Sequence, residues 1–287
     1  MDFIDLHVHS NCSDGTLSPT ELVKHASDCG LRAFALTDHD NTDGLSEAFS
    51  AADSLGIELV PGIEFSTEYL GTDIHIVGLD FDWQNPEFLD HIEYYRSERQ
   101  RRNQKMIDHM AADGIDISYD KMVKAFGENL WTRAHFGRYL LNCGIVKDIS
   151  EAFSLYLGDG CKYFIPREKV SPFEVVKLIR EFGGIPILAH PFQYQFADDK
   201  LRTLLTKLIE SGLLGMEVYY STHTDDQVAY LKALAEEFHL AESGGSDFHG
   251  SNKPDIALGS GKNNLQIPYS ILEKLRAKNQ EAKNEIS

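Results

Sequence analysis

The chain has 287 residues, of which 42% are hydrophobic, so it can bury a substantial core and intrinsic disorder is not expected. Its formal net charge of −18 argues against a surface for long nucleic acids or for anionic membranes, because both attract an excess of lysine and arginine. The four cysteines form no CxxC pair, the first residues lack a signal-peptide pattern, and no apolar run is long enough to span a bilayer. These features predict reduced thiols and a cytoplasmic protein.

Short β-like runs alternate with amphipathic helical patterns along most of the chain. The predicted strands are Phe3–Val8, Ala33–Leu36, Glu58–Glu64, Ile74–Leu79, Ile185–Ala189, Met216–Tyr219 and Leu240–Gly244. The predicted helices between them include Ser18–Cys29, Gly44–Leu55, Pro172–Phe182 and Asp226–Phe238. This alternation predicts an α/β protein with a parallel sheet and external helices, and seven strands favour a β/α barrel.

The segment 83–166 breaks the alternation. A long charged helix is predicted at Glu87–Ala112. Shorter helices are predicted at Lys121–Phe126, Arg133–Asn142 and Ile149–Tyr156. We therefore expect a barrel formed by 1–82 and 167–287, with 83–166 as a helical insertion over the active site at the barrel mouth.

The long helix carries a basic run in its middle. A solvated helix face with i,i+4 charge pairs is favoured here over a phosphate-binding surface. The run comprises Arg96, Arg99, Arg101, Arg102 and Lys105.

The first predicted strand ends in a His-x-His motif, and a carboxylate follows in the next loop. His7 and His9 are two residues apart, so both imidazoles point to the same side of a strand and can reach one cation. An isolated motif of this kind is weak evidence. Its position at the carboxyl end of a strand strengthens it, because barrel active sites lie on that face.

Similar side chains recur at the other predicted strands, nearly all at the carboxyl end. Six of the twelve histidines and three carboxylates share this placement, which predicts a metal centre. They are His7, His9, His39, His75, His190, His249, Asp14, Glu64 and Asp247. Nitrogen and oxygen donors without thiolate suit Mn, Fe or Zn.

These motifs resemble the PHP family, the polymerase and histidinol phosphatase superfamily. The matching stretches are DLHVHSNCSDGTLSP, LTDHDNTDG, GIEFS, IHIVGL, LAHP and GSDFH, and they occur in family order over Asp5–His249. The resemblance implies a distorted seven-stranded β/α barrel. The insertion with its WTRAHFGRYL stretch is similar to the branch of small phosphoesterases that act on nucleotides and short RNA ends.

The resemblance also implies two or three divalent cations and their ligands. One would be held by His7, His9, Glu64 and Asp247, a second by Glu64, His75 and His190, and a third by Asp14, His39 and His249. Asp14 stands where many relatives have histidine, as it does in the nucleotide-acting branch. Asp38 suits a residue that orients a ligand imidazole better than a ligand itself.

The implied reaction is hydrolysis of a phosphate ester by a metal-activated water, with His190, Asp247 and Glu64 as catalytic candidates. The expected substrate is a small phosphorylated molecule, either a 3′,5′-bisphosphonucleoside or the 5′ end of a short RNA. Candidate substrate contacts are Arg133, His135, Lys162 and His223. Arginine suits this role because its planar fork binds phosphate oxygens in pairs.

Three alternatives stay open at this point. A metal-dependent amidohydrolase also begins with His-x-His, but it bridges its metals with a modified lysine where this chain has Glu64. A histidinol-phosphate-type phosphatase lacks the helical insertion with WTRAHF. A non-catalytic metal-bound scaffold would be expected to have lost some ligand positions, and all are filled here.

Overall fold

The computed structural model describes residues 2–128, 130–165 and 170–286, and seven strands in these ranges form one sheet in chain order. The strands are β1 (Ile4–Val8), β2 (Ala33–Leu36), β3 (Glu58–Tyr69), β4 (Thr72–Leu79), β5 (Ile185–Leu188), β6 (Gly215–Tyr220) and β7 (Ala241–Gly245). Most of their residues are buried on both faces, which is why they read as nearly continuous apolar runs.

The two edges of the sheet meet and nearly close it into a barrel. Val8, at the end of β1, forms a parallel bridge with Phe248, just beyond β7. The backbone N–H of His9 also donates to the Phe248 carbonyl at 3.0 Å. The predicted distorted seven-stranded barrel is confirmed.

The expectation of a wholly parallel sheet is wrong for β4. This strand runs antiparallel to both of its neighbours, β3 and β5. Strand β3 continues past Glu64 to Tyr69, and the two-residue turn Leu70–Gly71, with φ of 52° and 78°, leads directly into β4. A connection this short permits only an antiparallel pair. As a result, the beginning of β4 lies at the same end of the barrel as the carboxyl ends of the parallel strands.

The helices surround the barrel or belong to the insertion. They are α1 (Pro19–Asp28), α2 (Leu45–Leu55), α3 (Pro86–Ala112), α4 (Tyr119–Phe126), α5 (Arg133–Asn142), α6 (Ile149–Ala152), α7 (Pro172–Glu181), α8 (Asp198–Glu210), α9 (Asp225–Glu237) and α10 (Ser270–Ile286). The predicted helix at Ile149–Tyr156 is thus divided, because α6 widens into a π turn at Phe153–Leu157. Among the described residues, no helix combines the length and the apolarity that crossing a membrane requires.

The barrel interior is filled from its amino-terminal end. Leu272 and Leu275 of α10 join the cluster that contains Ile4 and Leu6 of β1 and Ile187 of β5. Helix α10 therefore covers that end of the barrel. The opposite, carboxyl-terminal end is left for polar side chains.

The insertion has a hydrophobic cluster of its own. Met106 and Met110 from the second half of α3 pack there with Trp131, Phe136 and Leu140. The first half of α3 packs instead against the outside of the barrel. This arrangement supports the predicted division into barrel (1–82, 167–287) and insertion (83–166), which stays a prediction; its second boundary lies outside the described residues.

Candidate active site

The end of β1 brings two imidazoles to one point. His7 lies in β1 and His9 directly follows it, so both side chains turn to the same side. Both rings are fully buried, and their Nε2 atoms are 3.1 Å apart. Ligands that each hold a cation at roughly 2.0–2.1 Å approach one another to about this separation. The spacing suits two ligands of one ion.

The carboxylate of Glu64, in the middle of β3, lies at the centre of the histidine cluster and is 1% exposed. Its two oxygens face different groups of imidazoles, which suits a carboxylate that bridges two cations. The neighbours are His7 and His9 (Nε2, 3.2 Å each) and His39 (Nδ1, 3.1 Å) at Oε2, and His75 (Nδ1, 2.7 Å) and His190 (Nε2, 3.1 Å) at Oε1.

Asp14, in the loop after β1, faces a second group of imidazoles. Its Oδ1 atom is 3.1 Å from Nε2 of His249, and its Oδ2 atom is 3.7 Å from Nε2 of His39. His9 also belongs to this group, with Nδ1 3.9 Å from Asp14 Oδ1. The structure thus brings together the three residues predicted as a third ligand set and adds His9 to them.

The hydrogen bonds of two rings test whether the cluster fits a cation. Nδ1 of His249 is 2.8 Å from the backbone carbonyl of Asp247, which only accepts, so Nδ1 carries a proton. In the neutral ring, Nε2 then turns a lone pair towards the Asp14 carboxylate. His7 is arranged in the same way, with Nδ1 2.8 Å from Glu217 and Nε2 facing the central carboxylate. Lone pairs that converge in this way need a positive charge between them, so the residues fit divalent cations.

Asp247 follows β7 and completes the cluster. Its Oδ1 atom is 3.3 Å from Nε2 of His9, while Oδ2 accepts from the hydroxyl of Tyr220 at 2.6 Å and pairs with Nζ of Lys253 at 2.5 Å. Asp247 and His190 both have positive φ, 57° and 25°. Backbone strain of this kind is typical of functional sites, where the surrounding structure holds it in place.

Sequence reasoning missed Glu217, which lies in β6 and is 1% exposed. Its two oxygens accept from Nδ1 of His7 at 2.8 Å and from the backbone N–H of His190 at 2.7 Å. It therefore orients two residues of the cluster from behind. The signal in the sequence was a single carboxylate in the otherwise uncharged strand GMEVYY.

Asp38 contacts the cluster through a serine. Its carboxylate accepts from the hydroxyls of Ser10 and Ser13, each at 2.5 Å. The hydroxyl of Ser13 lies 3.4 Å from Nδ1 of His9. The side chain that Asp38 positions is therefore His9, and the contact is indirect.

The cluster concentrates opposite charges away from water. Burial lowers the pKa of His7, but the carboxylates of Glu217, Glu64 and Asp247 outweigh it and raise that pKa well above its usual value. Burial also lowers the pKa of His9, but its pairing with Asp247 and Glu64 outweighs burial and raises that pKa to about 9. Burial would raise the pKa of Glu64, yet the neighbouring imidazoles hold it well below its usual value. Protons therefore occupy positions that a cation can take over.

A cleft of about 350 Å³ opens onto the cluster, and its outer wall comes from the insertion. Arg99 and Arg102 of α3 and Arg133 at the start of α5 line this part of the cleft, called the arginine wall below, and residues of the histidine cluster line the same cleft. An anion that enters the cleft therefore meets guanidinium groups as well as the cluster.

The prediction of a solvated basic face is wrong for two of these arginines. Arg99 and Arg102 are 2% and 5% exposed, whereas Arg101 between them lies in solvent. They continue the buried stripe of α3 that includes Tyr95 and Met106. Arg99 donates from Nε to Asp40 Oδ2 at 2.9 Å, so α3 is tied to the end of β2 by a buried ion pair.

Arg133 lies at the edge of the cleft, as predicted for a phosphate contact. Its Nη2 atom is 2.5 Å from Asp73 Oδ2, and its Nη1 atom is 3.2 Å from Asp159 Oδ1 and from the Leu157 carbonyl. Two carboxylates thus hold the guanidinium in place. Its role in binding substrate stays a prediction.

Three other predicted contacts lie outside the residues that line this cleft. Nδ1 of His135 accepts from the backbone N–H of Thr132 at 3.0 Å and caps its own helix. Lys162 is exposed and pairs with Asp113 at 2.7 Å. His223 is buried, with Nδ1 3.0 Å from the Val218 carbonyl. A direct contact of these side chains with substrate stays a prediction that their placement does not favour.

Comparison with known proteins agrees with this site. The model of the PHP domain matches residues 5–112. A 5′-3′ exoribonuclease of Haemophilus influenzae is 41% identical over 85% of this chain and 89% of its own length. A 3′,5′-nucleoside bisphosphate phosphatase of Chromobacterium violaceum is 32% identical over 96% of this chain and 97% of its own length.

Two solved structures are similar throughout. One is described as an amidohydrolase from Chromobacterium violaceum with bound sulfate and no metal; it superposes with a TM-score of 0.85 at 32% identity, covering 96% of each chain. The other, assigned as a metal-dependent phosphoesterase from Bifidobacterium adolescentis, has a TM-score of 0.83 at 28% identity, again covering 96% of each.

A nearly closed seven-stranded barrel with this cluster at its carboxyl end defines a metal-dependent hydrolase. The chain belongs to the PHP family, and it is a metal-dependent phosphoesterase.

Proposed function

We propose that the protein hydrolyses the 3′-phosphate ester of a nucleotide that also carries a 5′-phosphate. The observation that carries this proposal is that two kinds of group line one cleft: the imidazoles around Glu64, and the guanidinium groups of Arg99, Arg102 and Arg133. A substrate with two phosphates can engage both sides at once.

Two or three divalent ions, manganese, iron or zinc, belong to this proposal. His7, His9, Glu64 and Asp247 would hold the first. Glu64, His75 and His190 would hold the second, with His39 also close to Glu64 and His75. Asp14, His39 and His249 would hold the third, with His9 beside them. When bound, such ions lower the pKa of water and neutralise the charge of phosphoryl oxygens. Glu64 would hold two of them together, because its oxygens face two groups of imidazoles.

The chain's other side chains would position the substrate. Arg102 and Arg133 would bind the phosphate that is not cleaved, and the buried pairing of Arg99 with Asp40 would keep this wall in place. Remote binding of this kind favours reaction at the other phosphate, because it fixes the reacting group against the cluster.

The names of the relatives support a nucleotide as substrate. A 5′-3′ exoribonuclease and a nucleoside bisphosphate phosphatase act on molecules that share one unit, a nucleoside with phosphate groups on both sides of its ribose. One site serves both if the 5′-phosphate is recognised and the bond at O3′ is broken. We include both a 3′,5′-bisphosphonucleoside and the 5′ end of a short RNA in the proposal.

The amidohydrolase alternative receives no support from the bridging position. Glu64 occupies the centre of the cluster. Among the described residues that line the cleft, the lysine is Lys253. Its Nζ pairs with Asp247 and does not bridge two groups of imidazoles. The histidinol-phosphate-type alternative needs a single small phosphate, which would leave the arginine wall without a function.

The test is phosphate or nucleotide release by the manganese-loaded protein from adenosine 3′,5′-bisphosphate and from a 5′-phosphorylated RNA trimer. His190→Ala serves as the inactive control. Adenosine 3′-monophosphate, which lacks the 5′-phosphate, serves as the substrate control. Hydrolysis of a doubly phosphorylated substrate well above the monophosphate supports the proposal. Equal rates on adenosine 3′-monophosphate, or no hydrolysis of any of the three, would overturn it.

A further inference from the structure

A second cavity adjoins the cleft on the side away from the arginine wall. This side chamber has a volume of about 270 Å³. Gln193, Asp247 and Lys253 line both the chamber and the cleft, so they form the partition between the two. None of the three cleft arginines lines the chamber. The side chamber therefore begins beside Asp247, a residue of the cluster.

Hydrogen bonds hold the walls of the side chamber in place. Tyr220 is 3% exposed, and its hydroxyl both accepts from Gln193 and donates to Asp247. Ser221 is equally buried and donates to the carbonyl of Ser246 at 2.6 Å. The partition is thus held by hydrogen bonds that connect it to the ends of β6 and β7.

The lining combines apolar, hydroxyl and cationic groups. Pro254 and the buried Ile256 supply apolar surface, the exposed Thr222 supplies a hydroxyl, and Lys262 brings a positive charge to the opening. Two carboxylates also line the chamber: Asp247, which pairs with Lys253 in the partition, and Asp255, which lies in solvent. A nucleotide offers a matching group for each of these: a flat base for the apolar surface, a hydroxylated sugar for the hydroxyl, and an anionic phosphate for the lysine.

We infer that the side chamber binds the nucleotide downstream of the scissile phosphate in a 5′-phosphorylated RNA. This inference rests on the proposed function and extends it, because a bisphosphonucleoside has nothing beyond its 3′-phosphate. The arginine wall binds the 5′-phosphate of the first nucleotide, and the cluster binds the phosphate between the two nucleotides. The chamber binds the second nucleoside, with Lys262 near the next phosphate.

The same bonds form and break in both substrates. Water forms a bond to phosphorus, the bond between phosphorus and O3′ breaks, and O3′ of the departing first nucleotide takes one proton. In a bisphosphonucleoside the product is inorganic phosphate. In RNA the phosphate stays on O5′ of the second nucleotide, which becomes the new 5′ end.

The experiment compares kcat/KM for a 5′-phosphorylated diadenosine or triadenosine RNA with kcat/KM for adenosine 3′,5′-bisphosphate, both with the manganese-loaded protein. In Lys262→Ala, the ratio of RNA to bisphosphate kcat/KM should fall about tenfold for the trimer, as expected when one charge-assisted contact is lost. Thr222→Trp, which fills the chamber from an exposed position, should lower this ratio for both RNAs. Lys274→Ala removes an equally exposed lysine on α10 and should leave the ratio as in the unaltered protein.

The outcomes separate this inference from the proposed function. Hydrolysis of the bisphosphate without cleavage of either RNA would leave the proposed function standing and overturn the chamber as a nucleotide site. Cleavage of RNA with a ratio unaffected by both Lys262→Ala and Thr222→Trp would overturn it as well. If neither substrate is hydrolysed, the proposed function fails and the inference fails with it.

Discussion

Thr132 and Asp14 join the insertion to the metal-binding cluster. The hydroxyl of Thr132, directly before α5, donates to Asp14 Oδ2 at 2.8 Å, although 118 residues separate them in the chain. Asn252 holds the same loop from the other side: its Nδ2 donates to the Asp14 carbonyl at 2.8 Å, and its Oδ1 accepts from Arg138 of α5. The orientation of Asp14 therefore depends on where α5 lies.

Replacing Thr132 by alanine should weaken cation binding at the proposed third ligand set, which contains Asp14, more than at the other two proposed sets. The substitution removes the hydrogen bond that orients Asp14, and outer hydrogen bonds of this kind typically change metal affinity by about 10–100-fold. Manganese titration by calorimetry, together with metal content after gel filtration, measures the effect. Thr132→Ser retains the hydroxyl and should bind as the unaltered protein does. Equal weakening in both variants, or none in Thr132→Ala, would contradict this coupling.

Replacing Glu217 by glutamine should weaken binding at the opposite side of the cluster. Glu217 accepts hydrogen bonds from the ring of His7 and from the backbone N–H of His190. The neutral glutamine lacks the negative charge that would strengthen the His7 ring as a metal ligand. We expect manganese affinity to fall about 10–100-fold. Glu242→Gln is the matched control, because Glu242 lies at the neighbouring strand and accepts from the Tyr219 hydroxyl outside the cluster. A similar loss in both variants would point to general destabilisation instead.

Much of the cluster could be predicted from the sequence because one physical rule places it. His7, His39 and His190 each follow a short apolar run, and parallel strands bring their carboxyl ends to one side of a barrel. The rule does not cover His75, which lies near the start of its strand. The antiparallel direction of β4 explains its position. The sequence does not signal the turn that reverses the chain, because Leu70 stands where positive φ usually selects glycine or asparagine.

The arginine wall and the supporting carboxylate could not be predicted in the same way. In α3, Arg99 and Arg102 occupy positions of the buried stripe, yet charge dominates the local pattern and indicates a solvated face. What buries Arg99 is Asp40, 59 residues away, and a pairing over that distance leaves no periodic signal. Glu217 is a single charged residue in a strand, and its partners lie in β1 and just after β5, far away in the sequence.

Removing the cations should destabilise the protein, and the effect should grow as the pH rises. The folded metal-free protein holds a proton on His9, whose pKa is about 9 against 6.5 for a free histidine. A raised folded-state pKa contributes stability that is complete below 6.5 and is lost as the pH rises towards 9. The metal-bound protein has no such loss, because its ligand rings are neutral. The difference in Tm between the two forms should therefore widen over this range.

Differential scanning fluorimetry with and without chelator measures this difference. At a manganese concentration 100-fold above Kd, binding adds about 2.7 kcal/mol, which corresponds to about 5–10 °C in Tm. Glu64→Gln, which removes the bridging charge, should show a much smaller difference at every pH. A Tm difference that narrows as the pH rises from 6.5 to 9 would show that protons do not compete with the cations at these rings.

Replacing Arg102 by alanine should lower kcat/KM for adenosine 3′,5′-bisphosphate about 10–100-fold, because the phosphate that is not cleaved loses a charge-assisted contact. Arg102 is the better probe of this wall, since loss of Arg99 would also break the buried ion pair with Asp40. Metal content should stay unchanged, and hydrolysis of a simple aryl phosphate should change much less. Arg101→Ala, one position away on the exposed face of α3, should behave as the unaltered protein. If Arg102→Ala slows both substrates equally, the guanidinium supports the cleft without recognising the second phosphate.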